Sequence, residues 1–456
     1  MNLKLSRYSF LFNREGKYLL YNSRRNNFYE LNRELYSYLS DTDIFSADSA
    51  SAEQAEMIEQ LRSLNILATE ENDDDYLAEL RLRHNIRAFD SSALGLTIVP
   101  TISCNLRCPY CFEENKPAGM MTRETADKLI SFISEHEAAK DIDITWFGGE
   151  PTLGVDIMEY ILEKVQDIEG KKLCGHSIIT NGTLWTDRVI ALFKKYPLGG
   201  IQITLDGMQP EHDRKRIRHD GSGTFEDIMN NIGRITDALP DVKLDIRINV
   251  DNTNSADYIR LSDMLYSRFP EAKNISIYPG ILRANRGCES PSFFTSADVV
   301  RFYDMLRQHG HESYGYPQHC SKGCMATRTS SYVVGPRGEL YKCWEHLGKP
   351  ELEIGKIDSP DLTNGKLMRR LIDNGHLFSS AECRRCGLLP VCSGGCPNKR
   401  YENLYCGANH DICTVYHSSN DAALHDLLYN YFASSKKKLK NLHVSVNKNA
   451  HVSSLI

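Results

Sequence analysis

The sequence lacks both a long apolar run and a strong excess of charge of either sign. Its 456 residues carry 54 Lys and Arg against 60 Asp and Glu, which gives a formal net charge of −6. A general nucleic-acid binder leans basic, so no nucleic-acid partner is expected. No stretch approaches the length of a membrane-spanning helix, and the first residues mix charged with apolar side chains, unlike a signal peptide. We therefore expect a cytoplasmic protein without a membrane partner.

A disulfide scaffold is not expected either, although the chain has 14 cysteines. In a large chain of a reducing compartment, cysteines that cluster at short spacings bind metal more often than they pair. Eleven of the cysteines fall into such clusters. Cys174, Cys288 and Cys406 lie outside them, and we expect these three to be buried apolar residues.

The first 68 residues have the pattern of a small α/β unit. Two β-like runs flank Asn13-Arg14-Glu15-Gly16, which is a hairpin signal, and two amphipathic helical stretches follow. The runs are 8–12 and 17–21, and the helices are expected near 29–40 and 50–64. The acidic residues 70–75 then indicate a solvated linker or a helix start.

From about residue 94, short β-like runs alternate with amphipathic helical stretches. The alternation predicts βαβ units and a parallel sheet, with the chemistry at the carboxyl ends of the strands. Six repeats suit an incomplete barrel better than a closed eight-fold one, but counting strands leaves a doubly wound sheet open. The expected strands lie at 95–100, 143–147, 177–180, 201–205, 244–250 and 274–278, and the expected helices at 122–138, 155–168, 186–195, 224–237, 255–268 and 296–309.

Three cysteines, Cys104, Cys108 and Cys111, lie on the loop that follows the first of these strands. Thiolates are the usual ligands of iron–sulfur clusters, and a four-iron cluster with three protein ligands keeps one iron open for a cofactor or substrate. From the spacing alone, a zinc site with a distant fourth ligand is the alternative. The motifs that follow favour the cluster.

The second expected strand ends in Gly148-Gly149-Glu150-Pro151, about 40 residues after the cysteines. Glycines allow a close backbone approach, and the carboxylate and backbone carbonyls can accept from an ammonium group. With the C-x3-C-x2-C spacing and Tyr110 before the third cysteine, this motif resembles the radical S-adenosylmethionine (SAM) superfamily. The resemblance implies that the three cysteines hold a [4Fe–4S] cluster, and that Gly148, Gly149, Glu150 and Pro151 hold the methionine amino group of SAM.

Later strand ends carry further polar residues. The fourth strand ends in Thr204-Leu205-Asp206-Gly207, followed by His212-Asp213 and Arg216. This block resembles the S/T-L-D-G…H-D-x-x-R signature of radical SAM enzymes that modify peptides and proteins. The resemblance implies that Thr204 faces the SAM ribose and Arg216 its carboxylate, with Asn249 a candidate for the nucleotide. Taken singly, Asp206-Gly207 is an ordinary turn signal and Arg216 an exposed charge.

Eight further cysteines lie between residues 320 and 413, in a loop-rich region that we expect to need metal for its stability. They match two four-ligand sites, and Pro336-Arg337-Gly338 marks a hairpin turn that would present Cys343. The pattern resembles the SPASM extension of radical SAM maturases, which holds two auxiliary [4Fe–4S] clusters. The resemblance implies a nearer cluster on Cys320, Cys324, Cys343 and Cys396, and a farther one on Cys383, Cys386, Cys392 and Cys413. Cys406 is the rival of Cys413, and a zinc ribbon is the alternative for this region taken in isolation.

The family reaction, as the resemblance implies it, cleaves SAM reductively to a 5′-deoxyadenosyl radical that takes a hydrogen atom from the substrate. We predict a maturase that forms a thioether or carbon–carbon cross-link in a ribosomally made precursor peptide, with three [4Fe–4S] clusters and a flavodoxin or ferredoxin as reductant. The alternatives are a peptide epimerase and a sulfatase-maturase-like protein oxidase. The latter would carry an aspartate directly after Cys343, where this chain has Trp344. A zinc-ribbon binding protein is the non-enzymatic alternative, and no catalytic residue can be assigned.

These patterns predict an α/β protein of four segments. Residues 1–85 are expected to form a winged-helix-like α/β domain that binds the leader of the precursor peptide as an added strand. A structural cap on the barrel is the alternative for this domain. A partial (β/α)6 barrel is expected over 90–312, a loop-rich iron–sulfur domain over 313–434 and a flexible tail over 435–456.

Overall fold

The computed structural model divides the chain into two compact units. The terminal unit comprises Met1–Arg87, Thr295–Gly323 and Asp373–Ile456, and the central unit comprises Ala88–Phe294 and Cys324–Ile372. The residues that the structure describes are 2–111, 119–282, 292–311, 318–319, 323–359, 361–392, 394–413, 421–438 and 452–455.

The described residues form fifteen strands and fourteen α-helices. The strands are β1 (Lys4–Leu5), β2 (Ser9–Arg14), β3 (Lys17–Asn22), β4 (Asn27–Leu31), β5 (Leu67–Ala68), β6 (Ala93–Thr101), β7 (Asp141–Gly148), β8 (Lys172–Thr180), β9 (Gly200–Leu205), β10 (Lys243–Val250), β11 (Ile275–Ile281), β12 (Ser331–Val334), β13 (Glu339–Tyr341), β14 (Gly355–Lys356) and β15 (Val452–Leu455). The helices are α1 (Arg33–Asp41), α2 (Ala52–Ser63), α3 (Glu70–Ala88), α4 (Arg123–Glu135), α5 (Val155–Gln166), α6 (Asp187–Lys195), α7 (Gln209–Lys215), α8 (Phe225–Ala238), α9 (Ser255–Arg268), α10 (Ser296–Gln308), α11 (Gly365–Asn374), α12 (Ala381–Arg385), α13 (Pro397–Tyr405) and α14 (Asp421–Lys438).

The central unit contains one nine-stranded sheet in the order β11-β10-β9-β8-β7-β6-β12-β13-β14. Strands β6 to β11 are parallel, and strands that follow each other in the chain are neighbours in the sheet. A doubly wound sheet would reverse its strand order part-way along, so the doubly wound alternative is wrong. The observed order is that of a partial barrel, and it brings the carboxyl ends of six strands to one edge.

The six strands and six helices predicted from residue 94 onwards are all confirmed, with boundaries that differ by a few residues. The predicted hairpin is also present, since β12 and β13 are antiparallel and Gly338 turns between them with a φ of +81°. What the pattern did not predict is that β12 pairs with β6 in parallel and so extends the barrel sheet. The predicted helix near 29–40 is wrong for its first residues, which belong to strand β4.

The terminal unit is built on the antiparallel sheet β2-β3-β4, beside which β15 pairs with β4. Both faces of this sheet are covered by apolar side chains. One face packs against α1 and α2, with Leu20, Tyr29, Leu31, Leu35, Leu39, Ile58 and Leu61 in its core. The other face packs against α14 and residues 386–391, with Phe12, Leu19, Tyr21, Phe28, Leu388, Val391, Leu427, Leu428 and Phe432 in its core.

The acidic stretch 70–75 is the first turn of α3. Its Asp73 is buried and accepts from Ser6 Oγ at 2.8 Å and from the Arg7 amide at 2.8 Å. The prediction of a solvated linker is therefore wrong at this position.

The two units do not follow the four predicted segments. Helix α10 belongs to the terminal unit and strands β12–β14 to the central one, so the four segments stay a prediction. No helix of the described residues is long and apolar enough to cross a membrane.

Candidate active site

The two glycines at the end of β7 lie against the backbone of the loop that carries the first three cysteines. A Cβ atom at Gly149 would lie 2.2 Å from the Ile102 carbonyl oxygen and 2.4 Å from that of Ser103. Gly148 has a φ of +127°, and a Cβ there would lie 2.3 Å from the Thr101 carbonyl oxygen. Only glycine fits at both positions, so this pair sets the distance between β7 and the cysteine loop.

The carboxylate of Glu150 is fully buried and ties two strand ends together. Its Oε1 accepts from the Thr152 hydroxyl at 2.6 Å and from the Thr180 hydroxyl at 2.7 Å, and its Oε2 accepts from the Asn181 amide at 2.7 Å. Burial nevertheless raises the pKa of Glu150 above its usual value. The sequence assigned this carboxylate to ammonium binding, but in the structure much of its accepting capacity is already used within the fold.

The cysteine loop is fastened on several sides. Asn181, at the end of β8, donates to Asn105 Oδ1 at 2.9 Å and to Cys104 Sγ at 3.8 Å. The Arg107 amide donates to the Ile217 carbonyl oxygen at 2.9 Å. The sequence predicts no role for Asn181, and no motif indicates its contact with the Cys104 sulfur.

The three cysteines are half-buried and close enough to influence one another. Burial raises the pKa of Cys104 to about 12, and Cys108 contributes to that rise. Burial also raises the pKa of Cys108, with a contribution from Cys111. In the described residues no three His, Cys, Asp or Glu side chains converge tightly enough to hold a single metal ion. In a four-iron cluster each thiolate binds a different iron atom, so its ligands need not converge on one point.

A buried hydrogen-bond network around Asp206 lies beside this loop. Asp206 is 1% exposed and accepts from Arg216 Nε at 2.7 Å, from Asn249 Nδ2 at 2.8 Å and from the Tyr110 hydroxyl. Although burial opposes it, the Arg216 guanidinium together with the Tyr110 and Asn249 hydrogen bonds holds the pKa of Asp206 below its usual value. Arg216 is therefore not an exposed charge, and Asp206 is more than a turn residue.

The His-Asp pair of the same signature is structural. His212 Nε2 lies 3.1 Å from the Thr224 hydroxyl, and the ring packs edge-on against Phe225. Asp213 accepts from the amides of Thr224 and Phe225 at 2.7 and 2.9 Å, at the start of α8. These contacts fix the turn after α7, and so they position Arg216.

Two features of this region fit a bound nucleoside. One is a polar face of the sheet, and the other is a buried oxygen that can accept a hydrogen bond. Arg247 pairs in register with Thr204 on β9 and with Tyr278 on β11, so these three residues share a face of the sheet. Asn249, two residues further along β10, lies on the same face, and its Oδ1 is buried without a hydrogen-bond partner in the described parts of the chain. A buried acceptor normally has a donor, so a ligand donor at Asn249 fits the observed chemistry.

Residues 98–265 of the chain match the radical SAM superfamily. This chain is an enzyme with a radical SAM domain. The match spans β7, β8, β9 and β10, which carry the residues described above. It removes the alternative of a non-catalytic zinc-ribbon protein.

The proteins to which this chain is similar include an anaerobic sulfatase-maturating enzyme and a sporulation killing factor maturation protein. The cysteine-type anaerobic sulfatase-maturating enzyme of Clostridium novyi (strain NT) is 26% identical over 373 residues, which cover 74% of this chain and 97% of the relative. The sporulation killing factor maturation protein SkfB of Bacillus subtilis (strain 168) is 27% identical over 163 residues, which cover 35% of this chain and 37% of that protein. A solved structure of anSMEcpe with bound AdoMet and Cp18Cys peptide matches 76% of this chain and 98% of its own, with a TM-score of 0.53 and 20% identity, and thus shares the fold.

The second cysteine array consists of the eight cysteines between residues 320 and 413. Four of their thiols come together in the terminal unit. Cys383 lies in α12, Cys386 ends it, and Cys392 follows a short 3-10 turn. Burial, together with Cys392, Cys383 and Cys386, raises the pKa of Cys413 to about 12. A Cβ at Gly395 would lie 2.1 Å from the Ile412 carbonyl oxygen, so this glycine permits the approach of the segment that carries Cys413.

The remaining cysteines are described only in part. Cys320 and Cys288 lie outside the described residues. Cys324 precedes a 3-10 turn, Cys343 follows β13 and Cys396 precedes α13. Cys174 and Cys406 are exposed, so the expectation that they are buried apolar residues is wrong for these two. No disulfide bond joins any of the described cysteines.

Proposed function

We propose that this enzyme is a peptide maturase that cross-links a ribosomally made precursor peptide. The observation that carries the proposal is at Trp344, the residue that directly follows Cys343. Its indole stacks on Phe147, with ring centroids 5.5 Å apart and an interplanar angle of 27°, and it is 40% exposed. This aromatic surface lies next to Gly148-Gly149-Glu150-Pro151, the GGEP motif. It can contact a peptide side chain, but it offers no carboxylate to remove a proton.

Three [4Fe–4S] clusters and SAM are the proposed cofactors. Cys104, Cys108 and Cys111 would hold the cluster that binds SAM, and bound SAM would supply the 5′-deoxyadenosyl radical that abstracts a hydrogen atom. The backbone carbonyls around Gly148–Pro151 and the remaining capacity of Glu150 would accept from the SAM ammonium group. Arg216, held by Asp206, has its terminal nitrogens left to bind the SAM carboxylate.

The nucleoside of SAM would lie along the polar face of β9 and β10. Thr204 is 8% exposed on that face, where its hydroxyl would meet the ribose. Asn249 donates to Asp206 through Nδ2, which leaves Oδ1 to accept from the base. Gly280, which pairs with Asn249, keeps this place open, because a Cβ there would lie 2.6 Å from Asn249 Oδ1.

For the two auxiliary clusters we propose the ligand sets that the resemblance to the SPASM extension implies. Cys320, Cys324, Cys343 and Cys396 are proposed for the nearer one, and Cys383, Cys386, Cys392 and Cys413 for the farther one. Cys413 is preferred to Cys406, because its thiol interacts with those of Cys383, Cys386 and Cys392, whereas Cys406 is exposed. A flavodoxin or ferredoxin remains the proposed reductant.

A protein oxidase of the sulfatase-maturase kind is the second candidate. It is favoured by the relative from Clostridium novyi, which this chain matches over 97% of that protein's length. The chemistry separates the two candidates, because oxidation of a serine side chain by loss of two hydrogens leaves an aldehyde, whereas a cross-link leaves none. We expect the peptide encoded beside this gene to lose two hydrogens without reacting with a hydrazide probe. A product that reacts with the probe would establish the oxidase instead.

Recognition of the precursor is proposed for the edge strand β4 of the terminal unit, by addition of an extended peptide strand. Residues 452–455 pair with this edge in antiparallel register, so the edge accepts an added strand. The experiment uses a chain that ends at residue 438, with a photo-cross-linking amino acid at Glu30 on β4. We expect capture of the precursor there, and none from the control position Glu59 on α2, which is also partly exposed. Equal capture at both positions would contradict the proposal that the precursor binds along the edge of β4.

A further inference from the structure

Arg400 lies in the second cysteine array and has no anionic partner among the described residues. It is 5% exposed, on α13, one helical turn after Cys396. Its Nη2 donates to the Gly394 carbonyl oxygen at 2.8 Å and to Cys383 Sγ at 3.7 Å. Its Nε is buried, and none of the described residues forms a hydrogen bond with it. Arginine is almost never this deeply buried unless it is paired, since removing a guanidinium from water is costly.

The missing counter-charge is supplied if the four cysteines around it are thiolates. Four thiolates on a [4Fe–4S] core make an anionic group, and Cys383 is both a proposed ligand of that core and a direct hydrogen-bond acceptor of Arg400. The turn Gly394-Gly395 strengthens this arrangement, because the Gly394 amide donates to Cys392 Sγ at 3.3 Å while its carbonyl accepts from Arg400. Arg400 therefore links the C-x2-C loop to the turn after Cys392.

We propose that Arg400 is the buried counter-ion of the farther auxiliary cluster and raises its reduction potential. This inference rests on the proposed cluster of Cys383, Cys386, Cys392 and Cys413. One-electron reduction makes the cluster more negative by one charge, so a neighbouring cation and its hydrogen bond to a ligand sulfur stabilise the reduced form more than the oxidised form. The potential of this cluster should therefore be higher than it would be without Arg400.

The test compares Arg400→Gln, Arg400→Lys and Arg385→Gln in a background where Cys104, Cys108 and Cys111 are Ala. Arg385 is the matched control, because it lies between the two cysteines of the same loop but is exposed. Potentiometric titration with dithionite, followed by electron paramagnetic resonance, reports the auxiliary clusters without any turnover. We expect Arg400→Gln to move one of the two midpoints to a more negative potential. Arg400→Lys should move it less, and Arg385→Gln should leave both midpoints in place.

Iron content separates failure of this inference from failure of the proposed clusters. If the background protein binds no iron at the four cysteines, the cluster assignment itself is overturned. If Arg400→Gln keeps its iron and both midpoints stay at the values of the background protein, the role of Arg400 is overturned. Should Arg400→Gln lose its iron, Arg400→Lys decides, because retained charge should retain the cluster at an intermediate potential. An unchanged midpoint in Arg400→Lys would then contradict the proposal.

Discussion

The two cysteine regions differ in what holds them in place. The loop of Cys104, Cys108 and Cys111 is fixed by the ends of parallel strands, through Gly149 and Asn181. The array from Cys383 to Cys413 consists of short helices and turns, and buried Arg400 lies beside its thiols without an anionic partner among the described residues. The fold thus builds the first site, and we expect the second to depend on its proposed cluster for charge balance and for much of its stability.

Removing each set of cysteines should show this contrast most strongly. With Cys104, Cys108 and Cys111 changed to Ala, we expect loss of SAM cleavage and of about a third of roughly 12 iron atoms per chain, with little change in melting temperature. With Cys383, Cys386 and Cys392 changed to Ala, we expect a large loss of soluble yield. Iron analysis, product chromatography and calorimetry measure these effects. Equal melting temperatures for the two triple variants would contradict the contrast.

Asp206→Asn should have the next largest effect, within the site that the fold builds. It removes the negative partner of Arg216, whose side chain is only 12% exposed, and so leaves a buried charge uncompensated. We expect a loss of roughly 3–5 kcal/mol in the free energy of unfolding, together with weaker SAM binding. Urea unfolding and calorimetric titration measure the two quantities.

Asp227→Asn is the matched control for that variant. Asp227 pairs with Arg218 but is 55% exposed, so its loss should cost about 0–1 kcal/mol. If the two variants unfold at the same urea concentration, the Asp206 network is not the buried centre of the site.

Gly149→Ala tests the close approach of β7 and the cysteine loop. The added Cβ would press on two carbonyl oxygens of the backbone, which cannot move aside as a flexible side chain can. We expect a destabilisation of about 3 kcal/mol and loss of SAM cleavage. Gly365→Ala is the control, because a Cβ there would have no atom of the described residues within 4 Å. A Gly149→Ala enzyme with normal activity would contradict the proposed geometry.

Two buried histidines of the central unit should make its stability depend on pH. Burial lowers the pKa values of His176 and His212 to about 4. The unfolded chain therefore binds more protons than the folded one between about pH 6.5 and 4, and stability must fall as the pH falls through this window. At pH 5 the expected loss is on the order of 2 kcal/mol for each histidine.

His176→Gln sharpens this prediction. Trp146 Nε1 donates to His176 Nδ1 at 3.2 Å, and His176 Nε2 lies 3.1 Å from the Tyr196 carbonyl oxygen, so a glutamine can replace both contacts without titrating. Urea unfolding at pH 7 and pH 5 should show a smaller difference for the variant than for the unchanged chain. If the loss of stability from pH 7 to pH 5 is the same in both proteins, His176 does not contribute to the pH dependence.

The contrast between the regions also explains how far the sequence could lead. Strand and helix periodicity predicts the parallel sheet, because each element buries one recurrent face. The cysteine spacing and the GGEP motif predict the first site, since their residues are contiguous at strand ends. Asp206, by contrast, has the signature of a turn, and only the meeting of three separate segments reveals its partners Tyr110, Arg216 and Asn249.

The terminal unit was harder to predict, because its core joins distant parts of the chain. Phe28 near the amino terminus packs in one core with Leu388 and Phe432, and neither partner is signalled by local periodicity. Another long-range contact, with Ser6 and Arg7, buries Asp73 in a stretch that has the composition of a linker. Arg400 has no motif at all, and it became notable only through its burial and its contact with Cys383.

The most direct test of the proposed function is mass spectrometry of the precursor peptide after anaerobic turnover in deuterated water. Formation of a cross-link removes one hydrogen atom by abstraction and a second by oxidation of the resulting radical and loss of a proton. We predict a product that has lost two hydrogens and carries no deuterium at carbon. A product that has gained one deuterium at carbon, without a new bond, would contradict the account and identify the enzyme as an epimerase.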